Sequence, residues 1–79
     1  MKVEIDARET GLNIYKLREK AGMSITEMQN AFNFNTPQTI YKWQQGIRIP
    51  SVRHLMQLAD LFGVSVEDIL VVKEGCNGA

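Results

Sequence analysis

The segment of residues 23–50 contains the start signals of two helices in close succession, and this arrangement restricts the fold more than any other feature of the chain. Ser24 lies three residues before Glu27. At that spacing a serine hydroxyl and a glutamate carboxylate each accept a hydrogen bond from the other's backbone N–H. A short helix, helix 2, is therefore predicted to begin after Ser24.

Helix 3 is predicted to run from Pro37 to Gln45. Thr36 precedes the proline, and proline is favoured at a first helical position because its missing N–H would be unpaired there anyway. Gly46 follows the helix and can adopt the left-handed conformation that ends many helices. Residues 33–35, between the two helices, include two asparagines, which tolerate the left-handed conformation of tight turns. Two capped helices joined by so short a turn form a helix-turn-helix.

Similar capping signals and apolar periodicity predict three further helices around one core. They are helix 1 from about Ala7 to Gly22, after Asp6 and with Glu9; helix 4 between Ser51 and Gly63; and a short helix 5 after Ser65, with Asp68. The side chains expected to fill the core are Ile14, Leu17, Ala21, Met23, Ile25, Met28, Phe32, Ile40, Trp43, Ile47, Val52, Leu55, Met56, Leu58, Ala59 and Phe62. The apolar residues of helix 5 are Val66, Ile69 and Leu70. His54 is expected to be a surface residue. The predicted fold class is all-α, with five helices.

The two ends of the chain leave alternatives open. Val3 and Ile5 alternate with polar residues, which is typical of a short strand but also fits an extended arm. Val71 and Val72 are expected either to pair with this segment or to pack on a second subunit. Seventy-nine residues suffice for one small domain. We therefore predict a single domain over residues 1–79, with its core at about 6–72 and a flexible tail at about 74–79.

Composition excludes several classes of function. Cys76 is the single cysteine, so neither an internal disulfide nor a cysteine-cluster metal site can form, and it is expected to be an inert tail residue. One histidine, one cysteine and no clustered carboxylates leave no plausible catalytic or metal constellation, so the chain is not expected to be an enzyme or to bind a cofactor or small-molecule ligand. No apolar run approaches the ~20 residues that span a membrane. A soluble, cytoplasmic protein is expected.

The charges are unevenly distributed along the sequence. The net charge of the whole chain is zero. Residues 12–55, however, contain six lysines and arginines against two glutamates, a net charge of +4. Because a polyanion responds to the local patch rather than to the total charge, the helix-turn-helix is the segment that would attract one.

At this level of detail the chain resembles the Cro/lambda-repressor-like family, the xenobiotic-response-element type of helix-turn-helix regulator. The matching positions are Ile14, Leu17–Arg18, Gly22–Met23–Ser24, Glu27–Met28, Phe32, Phe34, Ile40–Tyr41–Lys42–Trp43, Gly46, Pro50, Leu55, Leu58–Ala59, Leu61, Gly63–Val64–Ser65 and Leu70. They cover about residues 12–70. The resemblance implies a lambda-repressor-like fold and a DNA-binding transcriptional regulator, here expected to be a repressor, that acts as a homodimer on a palindromic operator.

The chain departs from the family pattern at four places. One extra residue lies between Met28 and Ile40, which predicts a wider turn. Ile25 stands where a phosphate-contacting glutamine usually opens helix 2, and Gln29 where a small residue usually lets helices 2 and 3 cross. Gln44 replaces a glutamate that often pairs with the arginine of helix 1, so Arg18 is expected to be free of an ionic partner. The four positions are places where the docking geometry of the family need not apply.

Helix 3 carries the residues expected to read DNA. At about 100° per residue, its outer side contains Gln38, Tyr41, Lys42 and Gln45, with Thr39 at the flank. The second helix of this motif lies in the major groove, where glutamine pairs with adenine and lysine donates to guanine. Thr39 and Tyr41 offer hydroxyl groups to phosphates and apolar surface to bases. An ordinary solvated helix face is the alternative reading of the same residues.

Other residues are expected to contact the phosphates of the DNA, and a further group is expected to contact a second subunit. The predicted phosphate contacts are Arg18, Ser24, Arg48 and Arg53. The predicted dimerisation residues are Ile69, Leu70, Val71 and Val72. A second hypothesis is a protein-interaction module of the antitoxin or scaffold type, in which Ile25 and Tyr41 would present an apolar surface to a protein partner.

Overall fold

The structure, a computed structural model, describes residues 2–75, and within this part of the chain it contains five helices and two strands. In chain order these are β1 (Lys2–Ile5), α1 (Ala7–Lys20), α2 (Ile25–Ala31), α3 (Gln38–Gln45), α4 (Val52–Phe62), α5 (Val66–Ile69) and β2 (Val72–Gly75). The predicted five-helix architecture is confirmed. The two strands add a small sheet to a fold that is otherwise helical.

Four of the five helices begin at the predicted capping residue. The side chains of Asp6, Ser24, Ser51 and Ser65 each accept a hydrogen bond from the backbone N–H three residues later. At α2 and α5 the acidic residue at that third position also accepts from the N–H of the cap, which completes a capping box. These signals are local in sequence, and this is why they could be recognised without the tertiary structure.

The predicted start of α3 is wrong by one residue. Pro37 is the capping residue rather than the first helical residue, because its carbonyl accepts the first helical hydrogen bond, from the N–H of Tyr41 at 3.2 Å. Thr36 therefore lies outside the helix, and no side chain caps α3. At the other end Gly46 adopts the left-handed conformation, with φ of 78°, as expected. The end of α1 likewise differs slightly, at Lys20 instead of Gly22.

The two strands pair as an antiparallel ribbon that joins the ends of the described chain. Ile5 lies opposite Val72 in the register. The backbone N–H of Asp6 donates to the carbonyl of Val71 at 2.7 Å, which continues the ribbon to the start of α1. Of the two alternatives for this region, strand pairing is the one found. Because β2 extends to Gly75, the predicted tail begins too early, whereas Cys76 lies outside the described residues.

The core lies where α1, α2, α3, α4 and α5 meet. Its buried apolar side chains are Ile14, Met28, Ile40, Trp43, Leu55, Leu58 and Ile69, and all of them except Ile69 were predicted as core. Four core predictions are wrong, since Ile47 is 66%, Val52 74% and Met56 62% exposed, and Ala21 is also exposed. Ile47 follows the left-handed Gly46 and so leaves the path of α3. Val52 and Met56 are four residues apart, which places them together on the outer face of α4.

His54 is not the simple surface residue that was predicted. Its half-buried ring belongs to a cluster of four rings, in which it lies 5.3 Å from Phe34, 5.5 Å from Trp43 and 5.7 Å from Phe32, between ring centroids. Edge-to-face and tilted ring pairs at such separations are favourable. The cluster connects α4 to the turn between α2 and α3, and so fixes the turn against the core.

α1 and α3 approach each other at backbone contact. A Cβ atom at Gly11, in the middle of α1, would overlap the carbonyl oxygen of Trp43 in α3. Gly46, at the end of α3, would bring a Cβ to 2.8 Å from the Cα of Arg8. Because glycine has no side chain, α1 and α3 can touch at both positions. These contacts fix α3 against α1 and so set the orientation of its outer face.

Candidate nucleic-acid interface

The outer face of α3 is polar and accessible. Gln38, Tyr41 and Gln45 are exposed, whereas Ile40 and Trp43 on the opposite side are buried in the core. The predicted division of the helix into an inner and an outer side is confirmed. Two further predicted base-reading residues, Thr39 and Lys42, are half-buried at the edges of this face. The structure thus brings all five residues together on the outside of one short helix.

The start of α3 leaves its first backbone amides without a capping side chain. Pro37 provides no side-chain hydrogen bond, in contrast to the capping residues of the other described helices. The first N–H groups of a helix point outward along its axis and carry partial positive charge. The backbone amides of Gln38 and Thr39 are therefore at the same end of α3 as the side chains of these two residues. A ligand at this end could meet both kinds of hydrogen-bond donor.

Arg48 and Arg53 lie beyond the other end of α3. Both side chains are exposed, and neither forms an ion pair with any residue between Lys2 and Gly75 whose side chain is described. The backbone N–H groups of Ile47 and Arg48 both donate to the carbonyl of Lys42, at 3.0 and 3.2 Å. These two bonds hold the backbone of Arg48 close to the last turn of α3.

The prediction that Arg18 is free of an ionic partner is wrong. Its side chain is largely buried, and its guanidinium donates to the Oε1 of Gln44 at 3.0 Å and to the carbonyl of Met23 at 2.7 Å. It also pairs with the carboxylate of Glu19 at 3.2 Å and lies over the ring of Tyr15. Arg18 therefore connects α1 with α3 and with the start of the helix-turn-helix, and each of its three nitrogen atoms already has a partner within the protein.

Ser24 is only partly available for a phosphate. Its Oγ accepts from the N–H of Glu27 at 3.0 Å, and its own N–H donates to the Glu27 carboxylate at 2.8 Å. Its backbone amide, part of the predicted phosphate contact, is thus occupied. The exposed hydroxyl keeps its hydrogen as a donor, but the neighbouring carboxylate adds negative charge at this helix start.

Comparison with known proteins agrees with this arrangement. A family model described as helix-turn-helix matches residues 14–69, which is most of the chain. The chain belongs to the Cro/lambda-repressor-like helix-turn-helix family. Among curated proteins no sequence match was found.

Two solved structures share the helix-turn-helix fold of the chain. The crystal structure of the DNA-binding domain of BldD has a TM-score of 0.71 and 24% identity, over 84% of this chain and 94% of that one. The structure of the S. venezulae BldD DNA-binding domain has a TM-score of 0.70 and 24% identity, over 84% of this chain and 97% of that one. The likeness extends over nearly the whole of each of these domains.

The turn between α2 and α3 accommodates the residue that the family pattern lacks. Asn33 adopts the left-handed conformation, with φ of 58°, as the asparagines in this segment suggested. The amide of the Gln29 side chain donates to the carbonyl of Phe34 at 3.2 Å, while the N–H of Phe34 donates to the carbonyl of Gln29 at 3.0 Å. Gln29 therefore closes the wider turn instead of separating the two helices.

Ile25 and three of the four predicted dimerisation residues, Ile69, Leu70 and Val71, contribute mainly to the helix-turn-helix domain itself, whereas the fourth, Val72, is 57% exposed. Ile25 is half-buried against the core, as is Leu70. Ile69 is completely buried, so the prediction that it contacts a second subunit is wrong. Val71 uses both its N–H and its carbonyl in hydrogen bonds to the Thr10 hydroxyl, at 2.9 and 3.4 Å.

Sequence reasoning missed the residues that position α3. Gly11 and the Arg18–Gln44 bond hold α3 against α1. The usable signals were a glycine in the interior of a predicted helix and the family pattern that pairs position 44 with the arginine of helix 1. The part of the chain that the structure describes contains no group of three His, Cys, Asp or Glu residues suited to a metal ion. In the same residues no helix has the length and apolar character needed to cross a membrane.

Proposed function

We propose that this chain is a sequence-specific double-stranded DNA-binding transcriptional regulator that inserts α3 into the major groove. The observation that carries the proposal is the accessible polar face of α3. The opposite side of this helix is buried in the core, and its backbone is held against α1. In helix-turn-helix proteins the second helix of the motif meets base edges. The two BldD structures, which share this fold, are described as DNA-binding domains.

The side chains on this face supply the donors and acceptors that base reading requires. Gln38 and Gln45 can each donate to N7 and accept from N6 of an adenine, and Lys42 can donate to O6 or N7 of a guanine. Tyr41, 45% exposed, offers its ring to a thymine methyl and its hydroxyl to a phosphate. Thr39 lies beside the uncapped start of α3, where its hydroxyl and the free amides suit a phosphate.

Positive charge around the face supplies affinity that does not depend on sequence. Arg48 and Arg53 are the proposed phosphate contacts, together with the hydroxyl of Ser24. Arg18 is not included, because its guanidinium is bonded within the protein. Residues 12–55, which include α3, Arg48 and Arg53, carry a net charge of +4.

The proposed mode of action is repression by occupation of a promoter, with two copies on a palindromic operator. A twofold pair would place its two α3 helices about one DNA turn, ~34 Å, apart. The alternative, a protein-interaction module, depended on Ile25 and Tyr41 as an apolar surface. Since Ile25 is half-buried against the core, it offers only part of its side chain to a partner, and Tyr41 is the exposed member of the pair.

The direct test uses duplexes selected from a random pool by the purified protein. Fluorescence anisotropy would then compare wild type with Gln38→Ala and Lys42→Ala on the best duplex and on single-base variants of it. We expect each substitution to remove about 1–3 kcal/mol of discrimination at one base pair. Gln57→Ala and Lys73→Ala, which change exposed residues of the same types on α4 and β2, are the matched controls and should leave the preference intact. If Q38A and K42A keep the preference of the wild type, α3 does not read the sequence.

A further inference from the structure

The outer face of α4 combines exposed apolar side chains with two opposite charges. Val52 and Met56 are 74% and 62% exposed, whereas Leu55 and Leu58 on the inner side of the same helix are buried. Arg53 and Asp60 are exposed on the same helix, and neither pairs with another residue among those with described side chains. The segment that leads into α4 adds Ile47, which is also exposed. Nothing within the described chain covers this face.

The charges are arranged symmetrically about Met56. Arg53 lies three residues before it and Asp60 four residues after it. At about 100° and 1.5 Å per residue, Arg53 and Asp60 are rotated by about 60° and 40° to the same side of Met56. Along the helix axis they stand about 4.5 Å before it and about 6 Å after it. Val52 lies on the other side of Met56. The face therefore has an apolar side, with Val52 and Met56, and a charged side, with Arg53 at one end and Asp60 at the other.

We propose that this face of α4 docks antiparallel on the same face of a second copy of the chain, with the twofold axis at Met56. Reversal of the second helix brings its Asp60 to within about 1.5 Å, along the axis, of the level of Arg53 in the first. The twofold axis preserves the side on which both charges lie, so two Arg53–Asp60 ion pairs form across the interface. In such an isologous contact each pair of complementary residues occurs twice.

The charge pattern selects a second copy over an unrelated partner. A face with a positive and a negative residue at nearly equal distances from its centre is complementary to itself when one helix is reversed. The occupied area is small, since one helix face offers less than the ~800 Å² per partner of a standard stable interface. The pair therefore forms weakly in free solution. On adjacent half-sites, DNA would raise the effective concentration of one copy near the other.

The proposal replaces the interface first predicted at residues 69–72, in which Ile69 is buried. It is compatible with a phosphate contact by Arg53, because a guanidinium has five N–H donors and can bind a carboxylate and a phosphate together. Only the effect of DNA on pairing rests on the proposed function. The contact between the α4 helices stands on the protein alone, and its test contains no DNA.

The experiment is disulfide cross-linking at the twofold axis. Cys76→Ser removes the single native cysteine, and Met56→Cys then introduces one at the centre of the proposed contact. Under mild oxidation M56C is expected to form covalent dimers. Glu67→Cys in the same background, at an exposed position on α5, is the matched control and should remain largely monomeric. Circular dichroism shows that each variant is folded. Dimers formed no faster by M56C than by E67C would overturn the proposal.

Charge reversal provides a second, independent readout. In the M56C background, Arg53→Asp alone sets aspartates against each other and Asp60→Arg alone sets arginines against each other, so each variant should lose cross-linking. Mixed together, the two variants present only opposite charges to each other and should regain it as a heterodimer, which mass spectrometry distinguishes from either homodimer. If the single reversals have no effect, or the mixture does not recover, the antiparallel pairing is wrong.

Discussion

The Nε of Arg18 donates a hydrogen bond of 3.0 Å to the Oε1 of Gln44, and this bond ties α1 to the helix that carries the proposed reading face. Arg18 is only 8% exposed, so water cannot easily replace Gln44 as the acceptor of this hydrogen bond. The family pattern places a carboxylate at this position, yet the neutral amide oxygen makes a bond with the same partner. Arg18 therefore links α1 to α3 in this chain.

Replacement of Gln44 by leucine should destabilise the protein. The Nε–H of Arg18 would lose its acceptor in a buried place, which costs about 1–3 kcal/mol in the free energy of unfolding. Urea unfolding followed by circular dichroism measures the change. Gln45→Leu, at the next and exposed position, is the control and should change the free energy of unfolding by less than about 0.5 kcal/mol. Equal effects at the two positions would mean that the bond contributes little.

Replacement of Gly11 by alanine should also destabilise the protein, against the usual helix preference. In an unobstructed helix the substitution would stabilise by about 1 kcal/mol. Here the added Cβ overlaps the carbonyl of Trp43, so α1 and α3 must separate. Overpacking of this kind costs about 1–3 kcal/mol. A thermal or urea midpoint above that of wild type would contradict the close helix contact, whereas Lys16→Ala, at an exposed site on α1, should leave it nearly unchanged.

Asn33 tests the geometry of the widened turn. Because its φ is 58°, Asn33→Ala should lower the free energy of unfolding by about 1–2 kcal/mol, whereas Asn33→Gly should have little effect. Asn35→Ala provides the control, since Asn33 is the only non-glycine residue of the described chain with positive φ. Should alanine be tolerated as well as glycine at position 33, the turn does not have this conformation.

The features that could be predicted from the sequence were those encoded locally. Four caps and the buried Ile40 and Trp43 follow from spacings of three or four residues, and the left-handed end of α3 follows from the glycine at position 46. On α3, the same periodicity also gave the set of exposed polar residues. Pro37 shows the limit of this reasoning, because a proline can end up as the capping residue or the first helical residue, and only the carbonyl that accepts the first bond decides.

The features that could not be predicted depend on contacts between distant segments. The ribbon joins residues about seventy positions apart, and the sequence left it as one of two alternatives. The acceptor for Arg18 lies 26 residues away, and replacement of a carboxylate by Gln44 gave no sign that the bond persists. Apolar periodicity placed Val52 and Met56 in the core because it records apolar side chains without recording what covers them.

The most direct test of the central claim is the dependence of DNA affinity on salt. The association constant for the selected duplex should be measured between about 50 and 200 mM salt, a range over which several phosphate contacts change affinity strongly. We predict a steep linear fall of its logarithm with the logarithm of salt concentration, and a slope reduced by about one unit in Arg48→Gln. Lys73→Gln, an exposed lysine on β2, should keep the slope of the wild type. An affinity independent of salt, or a slope unchanged in R48Q, would contradict the account in which this face binds the DNA backbone.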